Sequence, residues 1–326
     1  MSFSFRPAIR DQSTLLIGLI GPSGSGKTYT AMRLAKGICG DDPFAVIDTE
    51  AGRAKHYAGL FKFDHGDLKP PFRPDAYTEA IKAADEAGYR AVVVDSCSHE
   101  WAGEGGILEW QEEELTGMVK RAMAKRENAK EWELMETFKM SSWIKPKTSH
   151  KHMIQRLLQV RANLILCFRA EDKIKMEKNP ETGKMMINSL GFQPVCSKEM
   201  PYELTVSFLL TPDKPGIPHP IKLQEQHKKM FPLDRQLGEE AGKMISEWAA
   251  GGATRTKADD PPPPGAKPGK ESFTESMERE RKRLGDERFL RILGANGYEN
   301  IEQITNREQQ ISLYRIMAES ILAKEK

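Results

Sequence analysis

Leu15-Leu16-Ile17-Gly18-Leu19-Ile20-Gly21-Pro22-Ser23-Gly24-Ser25-Gly26-Lys27-Thr28 decides how the rest of the chain is read. A short apolar run, Leu15 to Ile20, ends in a Gly21-x-x-x-x-Gly26-Lys27-Thr28 pattern. Behind it Ala31, Leu34, Ala35 and Ile38 fall at the i, i+3, i+4 and i+7 positions of a helix. Strand, glycine-rich loop and helix start in that order make an anion cradle. The glycines let the backbone curl until its N–H groups point inward, and the helix N-terminus adds positive potential. The candidate phosphate-binding residues are therefore Gly21, Pro22, Ser23, Gly24, Ser25, Gly26, Lys27 and Thr28. Lys27 would reach the β- and γ-phosphates of a nucleotide, and Thr28 would ligate Mg²⁺.

Further apolar runs follow at Phe44–Ile47, Ala91–Val94, Leu164–Phe168 and Leu204–Leu210. Tyr77, Ala80, Ile81 and Ala84 mark a helix between Asp75, its expected N-cap, and Gly88, its expected stop. Apolar strands alternating with helices predict an α/β fold, a mostly parallel sheet sandwiched by helices. Ala91-Val92-Val93-Val94-Asp95 supplies the Walker B carboxylate: Asp95, expected at the end of a strand neighbouring the loop strand, would hold Mg²⁺ with Thr28. Ser96 follows, where most AAA+ and ABC-type ATPases place a glutamate, so the base that activates water must come from another strand. Phe44-Ala45-Val46-Ile47-Asp48-Thr49-Glu50 ends in two acids. With this strand beside the loop strand, Glu50 would face the attacking water and Asp48 would orient neighbouring groups. The chain has no Asn-Lys-x-Asp for guanine and no Leu-Ser-Gly-Gly-Gln, which argues against a GTPase and a transporter ATPase.

Ile47-Asp48-Thr49-Glu50 with Ala51-Gly52-Arg53, and Val92-Val93-Val94-Asp95-Ser96, resemble the RecA/RadA recombinase core. Residues 13–225, about two-thirds of the chain, are similar to phage- and prophage-type RecA-like P-loop ATPases, AAA-domain nucleotide-binding proteins found beside single-strand annealing functions. The resemblance implies a RecA-like P-loop NTPase with ATP and Mg²⁺, and with Glu50 as the residue that activates water. It also implies a γ-phosphate sensor at the end of Leu164–Arg169. There Arg169 replaces the recombinases' amide side chain, and it reads either as a sensor or as an arginine finger, in cis or in trans. The catalytic candidates are thus Lys27, Glu50, Asp95 and Arg169. A long insert departs from recombinases, so filament formation and strand exchange are not implied.

At roughly 150 residues per domain, a chain of 326 residues allows about two. Residues 1–250 read as the ATPase domain, with a helical insert at about 97–162. Gly251–Glu271, with five Pro and four Gly, reads as a linker, and residues 272–326 as a small helical module in which Phe289, Leu290, Ile292 and Leu293, then Ile311, Leu313, Tyr314, Ile316 and Met317, suggest two or three short helices. With 39% hydrophobic and 29% charged residues the chain is neither disordered nor an integral membrane protein. Leu15–Ile20 is far short of the ~20 residues of a membrane helix, and no signal-type segment precedes it. Cys39, Cys97, Cys167 and Cys196 are scattered without a Cys-x-x-Cys pair and read as buried, reduced thiols. A cytoplasmic protein without a membrane partner is expected.

The net charge of +2 advertises no acidic partner, but it conceals a dipole: residues 104–136 carry a net −4 and residues 139–184 a net +7. Lys145, Lys147, Lys151, Arg156 and Arg161 lead into the sensor strand, where single-stranded DNA could bind. Trp101, Trp110, Trp132 and Trp143 suit either base stacking or core packing. Lys173 and Lys175 are hairpin lysines or cations for a neighbouring subunit's γ-phosphate. His150 and His152 lack a third ligand at metal spacing and read as a solvated basic face. Three functions compete: a Mg-ATPase coupled to single-stranded DNA or a DNA-processing partner in phage-type recombination or replication, a P-loop kinase using the insert as a lid, and a non-hydrolysing ATP-switched adaptor. Residues 272–326 would dock a protein partner, and a homo-oligomer fits any of the three.

Overall fold

The computed structural model describes residues 13–125, 129–178 and 185–250, and parts of 277–316. The chain divides into two compact units, Met1–Gly265 and Ala266–Lys326. The division falls within the stretch read as a linker, which itself lies outside the described residues.

The first unit is built on an eight-stranded sheet. Its strands are β1 (Leu16–Gly21), β2 (Phe44–Asp48), β3 (Phe63–Asp67), β4 (Ala91–Asp95), β5 (Asn163–Lys178), β6 (Met185–Pro194), β7 (Val206–Thr211) and β8 (Lys214–Lys222). The order is β3-β2-β4-β5-β1-β7-β8, with β6 paired to β5. From β3 to β7 the strands are parallel; β8 and β6 run antiparallel to their partners. Residues of one parity along the central strands, among them Ile17, Leu19, Val46, Val93 and Ile165, pack against α1 (Lys27–Cys39) and α8 (Glu239–Ala249). Those of the other parity, among them Leu16, Ile20, Ile47, Val92, Val94 and Leu166, pack against α2 (Pro74–Glu86) and α6 (Ile144–Leu157). That is the expected sandwich, in which strands buried on both faces are apolar throughout.

Between β4 and β5 the insert forms α3 (Ser98–Ala102), α4 (Ile107–Met123), α5 (Glu131–Phe138) and α6; a single turn, α7 (Met200–Glu203), precedes β7. Three expectations need correction. The helix at 74–86 is capped by Arg73 without a side-chain bond, and Pro74 opens it with its fixed φ, so Asp75 lies in the first turn rather than at the cap. Gly88 does supply the left-handed residue beyond its end, with φ of 83°. Second, β3 and the proline-bearing β8 gave no strand signal. Third, the strand seen as Leu164–Phe168 continues to Lys178, because beyond the sheet it pairs with β6 as a two-stranded arm.

Helices α1 and α8 cross at two glycines. A Cβ on Gly37 would lie 2.1 Å from the Glu239 carbonyl oxygen, and one on Gly242 would lie 2.2 Å from that of Leu34. Arg33 and Glu239 close the crossing with a 2.7 Å ion pair. Since overpacking of this kind costs ~1–3 kcal/mol, Gly242→Val is expected to lower the thermal midpoint by roughly 3–10 °C. An unfolding scan checks this; a parental midpoint would mean that the helices can part without loss.

In the second unit, α9 (Asp286–Ala295) buries Phe289 and Leu293 with Met277, Ile304 and Leu313. Leu290 is half exposed, and Ile311, Tyr314 and Met317 lie outside the described residues. Among the described residues no helix is long and apolar enough to cross a membrane.

Candidate nucleotide site

The register aligns the C-terminal ends of the central strands: Gly21 pairs with Arg169, Asp95 with Cys167, and Asp48 with Asp95. A crevice at such an edge is where open α/β sheets bind ligands. Here it is a cleft of about 950 Å³ lined by Lys27, Thr28, Glu50, Asp95, His99 and Arg169, with Tyr29, Arg53, His56 and Tyr57 along one wall.

The loop between β1 and α1 is braced from within. Ser25 is buried and donates its hydroxyl to the Pro22 carbonyl at 2.8 Å, so only its backbone can face a ligand. Gly24 and Gly26 take φ of 79° and 83°, and a side chain on Gly24 would meet open space. The Lys27 amine donates to Pro22 O at 2.9 Å. Burial, outweighing the nearby Asp95 and Glu50 charges, holds that amine below the usual lysine range. Thr28 Oγ1 donates to Asp95 Oδ2 at 2.5 Å. Burial pushes the Asp95 carboxyl up to about 6 against that hydrogen bond. A hydroxyl and a carboxylate meeting beside a half-buried amine and an open glycine loop are a donor set that fits a magnesium ion and a polyphosphate.

Two placements differ from expectation. Neither β4 nor β2 neighbours β1: β5 stands between β1 and β4, and β4 lies between β5 and β2. Asp95 nonetheless reaches Thr28 across the intervening strand, and Glu50 reaches the cleft by a turn that Asp48 holds. Asp48 is buried; its carboxylate accepts the Glu50 N–H at 2.6 Å and the Ala54 N–H at 2.9 Å, and contacts His65 Nε2 at 3.2 Å.

The Glu50 side chain lies between two guanidinium groups. Arg169 donates to Oε1 through Nη2 at 2.7 Å and Nε at 3.2 Å, and Arg53 donates to Oε2 at 2.7 Å. Burial disfavours the carboxylate, but the Arg169 hydrogen bonds and charge, with Arg53, outweigh it and hold the carboxyl below its usual range. Arg169 lines the cleft of its own chain, its backbone N–H held by Ser98 Oγ at 2.9 Å. Lys173 and Lys175 lie outside the cleft as exposed residues of the β5–β6 arm, with Lys175 paired to Glu177.

Sequence reading missed His99, Tyr29, His56 and Tyr57 in the cleft wall, since a lone histidine or tyrosine carries no pattern. It also misjudged His150, which is not part of a solvated face. Buried, it contacts Glu100 Oε1 through Nδ1 at 2.8 Å and Ser197 Oγ through Nε2 at 2.7 Å; His152 is exposed. Among the described residues no group of three His, Cys, Asp or Glu could hold a metal ion. Trp101 stacks on Trp143 and Trp110 lies under Arg73, whereas Trp132 is exposed. Cys39, Cys97 and Cys167 are buried and Cys196 is half-buried, all as free thiols. Along the basic segment Lys145 pairs with Glu114 and Arg161 with Asp85, Lys147 lies over the Trp143 ring at 5.2 Å, and Lys151 and Arg156 are exposed.

A family model described as an AAA domain matches residues 14–206, more than half of the chain. No curated protein matches it.

Proposed function

The chain belongs to the AAA-domain family, and from that premise we propose that it binds ATP with Mg²⁺ in the cleft and hydrolyses it. Hydrolysis is coupled to single-stranded DNA or to a DNA-processing partner in phage-type recombination or replication. The observation that carries this reading is the convergence of Lys27, Thr28, Asp95 and Glu50 on one cleft from separate strand ends.

The loop N–H groups and Lys27 would hold the β- and γ-phosphates, and Thr28 and Asp95 would hold the metal. The metal, when bound, would supply positive charge that offsets the charge of the phosphates. Glu50 accepts a proton from water as the water oxygen bonds to the γ-phosphorus and the bond to the bridging oxygen breaks. The charge of Arg169 keeps Glu50 ionised, which is the form a base requires. The tail unit, with its own small apolar core, serves as a docking module for a protein partner.

DNA coupling rests on the exposed cations of α6, which lead through β5 to Arg169. Single-stranded DNA is expected to bind with log K falling by ~0.7 per phosphate contact as log salt rises. Lys147→Glu with Lys151→Glu is expected to weaken that binding at least tenfold and to lower DNA-stimulated phosphate release, with basal release unchanged. Labelled ATP, assayed with and without DNA, tests the whole reading. Phosphate release enhanced by DNA supports it, transfer to an added acceptor points to a kinase, and neither outcome points to an adaptor.

A further inference from the structure

His99 sits on the first turn of α3, four residues beyond Asp95, and lines the cleft. Its ring is held twice. One face stacks on Phe72, with centroids 5.1 Å apart and planes at 27°, and Nδ1 meets Thr49 Oγ1 at 2.7 Å. Thr49 immediately precedes Glu50, so the imidazole and the carboxylate are positioned by consecutive residues of one turn.

The hydrogen bonds around Thr49 let the ring take either tautomer. Thr49 Oγ1 accepts the Ser96 N–H at 2.8 Å and has one proton to give, either to Ser96 O at 3.1 Å or to His99 Nδ1 at 2.7 Å. The Ser96 carbonyl already accepts the Tyr77 hydroxyl at 3.0 Å. Given to His99, that proton makes Nδ1 an acceptor and leaves the hydrogen on Nε2; given to Ser96 O, it leaves Thr49 Oγ1 free to accept from Nδ1–H, and an anionic oxygen at Nε2 selects the first arrangement. With Nδ1 and one ring face occupied, the Nε2 edge is the part of His99 left to line the cleft. Burial, followed by the Arg169 charge, holds the ring below the usual histidine range.

We propose that His99 donates a hydrogen bond from Nε2 to the γ-phosphate of bound ATP and strengthens it as hydrolysis proceeds. The inference rests on the ATPase reading above. When water bonds to phosphorus, its proton passes to Glu50, the bond to the bridging oxygen breaks and charge is redistributed over the phosphoryl oxygens; His99 keeps its proton and donates throughout.

The test uses the full chain with three variants. His99→Ala removes the ring, His99→Phe keeps the stack on Phe72 but removes the donor, and His99→Gln keeps an N–H donor. Loss of one such donor costs ~10²–10³ in turnover. His99→Ala and His99→Phe are expected to hydrolyse ATP about 100-fold more slowly. They should bind a non-hydrolysable ATP analogue roughly tenfold more weakly and ADP with parental affinity, since only the γ-phosphate is addressed. His99→Gln should recover most of both losses. If the folded Phe variant turns over at the parental rate, or loses ATP-analogue and ADP affinity in parallel, His99 is a packing residue and the inference fails while the ATPase reading stands. A parental protein that binds no ATP overturns that reading and this inference together.

Discussion

Replacement of Glu50 by Gln is expected to leave ATP affinity within a few-fold of the parent and to lower turnover by ~10²–10⁴, the usual cost of losing a positioned base. The amide is isosteric but keeps a single acceptor: its oxygen still accepts from Arg169, now 2.7 Å away, while its NH₂ cannot replace the oxygen that accepts from Arg53 at 2.7 Å, so that exposed bond is lost. The turn survives, because Asp48 holds it through the backbone N–H groups of Glu50 and Ala54 rather than through the Glu50 side chain. What disappears is an acceptor able to take a proton. Single-turnover hydrolysis alongside equilibrium binding separates these contributions. A mutant that turns over at the parental rate would place the base elsewhere and remove the most specific residue of the recombinase-like reading.

Lys27→Ala is expected to weaken ATP binding by ~10²-fold or more while the fold persists. Each charge-assisted hydrogen bond to phosphate is worth ~1.5–3 kcal/mol, and in the proposed site Lys27 would make about two of them. Its amine makes one hydrogen bond within the chain, to Pro22 O, inside a cleft open to water. The protein therefore loses little stability when it goes. Titration of a fluorescent ATP analogue, with the thermal midpoint as a folding control, reads both effects. Unchanged affinity in a folded mutant would sink the assignment of the loop.

The part of the site built from consecutive residues was legible without coordinates. Gly21 to Thr28 must curl where glycines permit positive φ and must open a helix where the apolar period changes from two to 3.6, so the loop, Lys27 and Thr28 follow from local chemistry. Acids at the ends of apolar strands pointed to Asp95 and Glu50 for a similar reason: a charge ending a fully buried strand has to lie at the sheet's edge.

Only the tertiary structure decided which strands are neighbours and which charges meet. Central strands buried on both faces read alike, so no apolar pattern could place β5 between β1 and β4. Edge strands such as β3 and the proline-bearing β8 meet water and lose the signal altogether. The bond between Arg169 and Glu50 joins residues 119 apart in sequence, and His99 enters the cleft because Thr49 and Phe72 hold it there. Backbone periodicity is a local property that the residue order determines by itself. Strand order, ion pairing and the pose of a lone histidine depend on long-range packing, in which each group settles only when groups distant in the chain have taken their places.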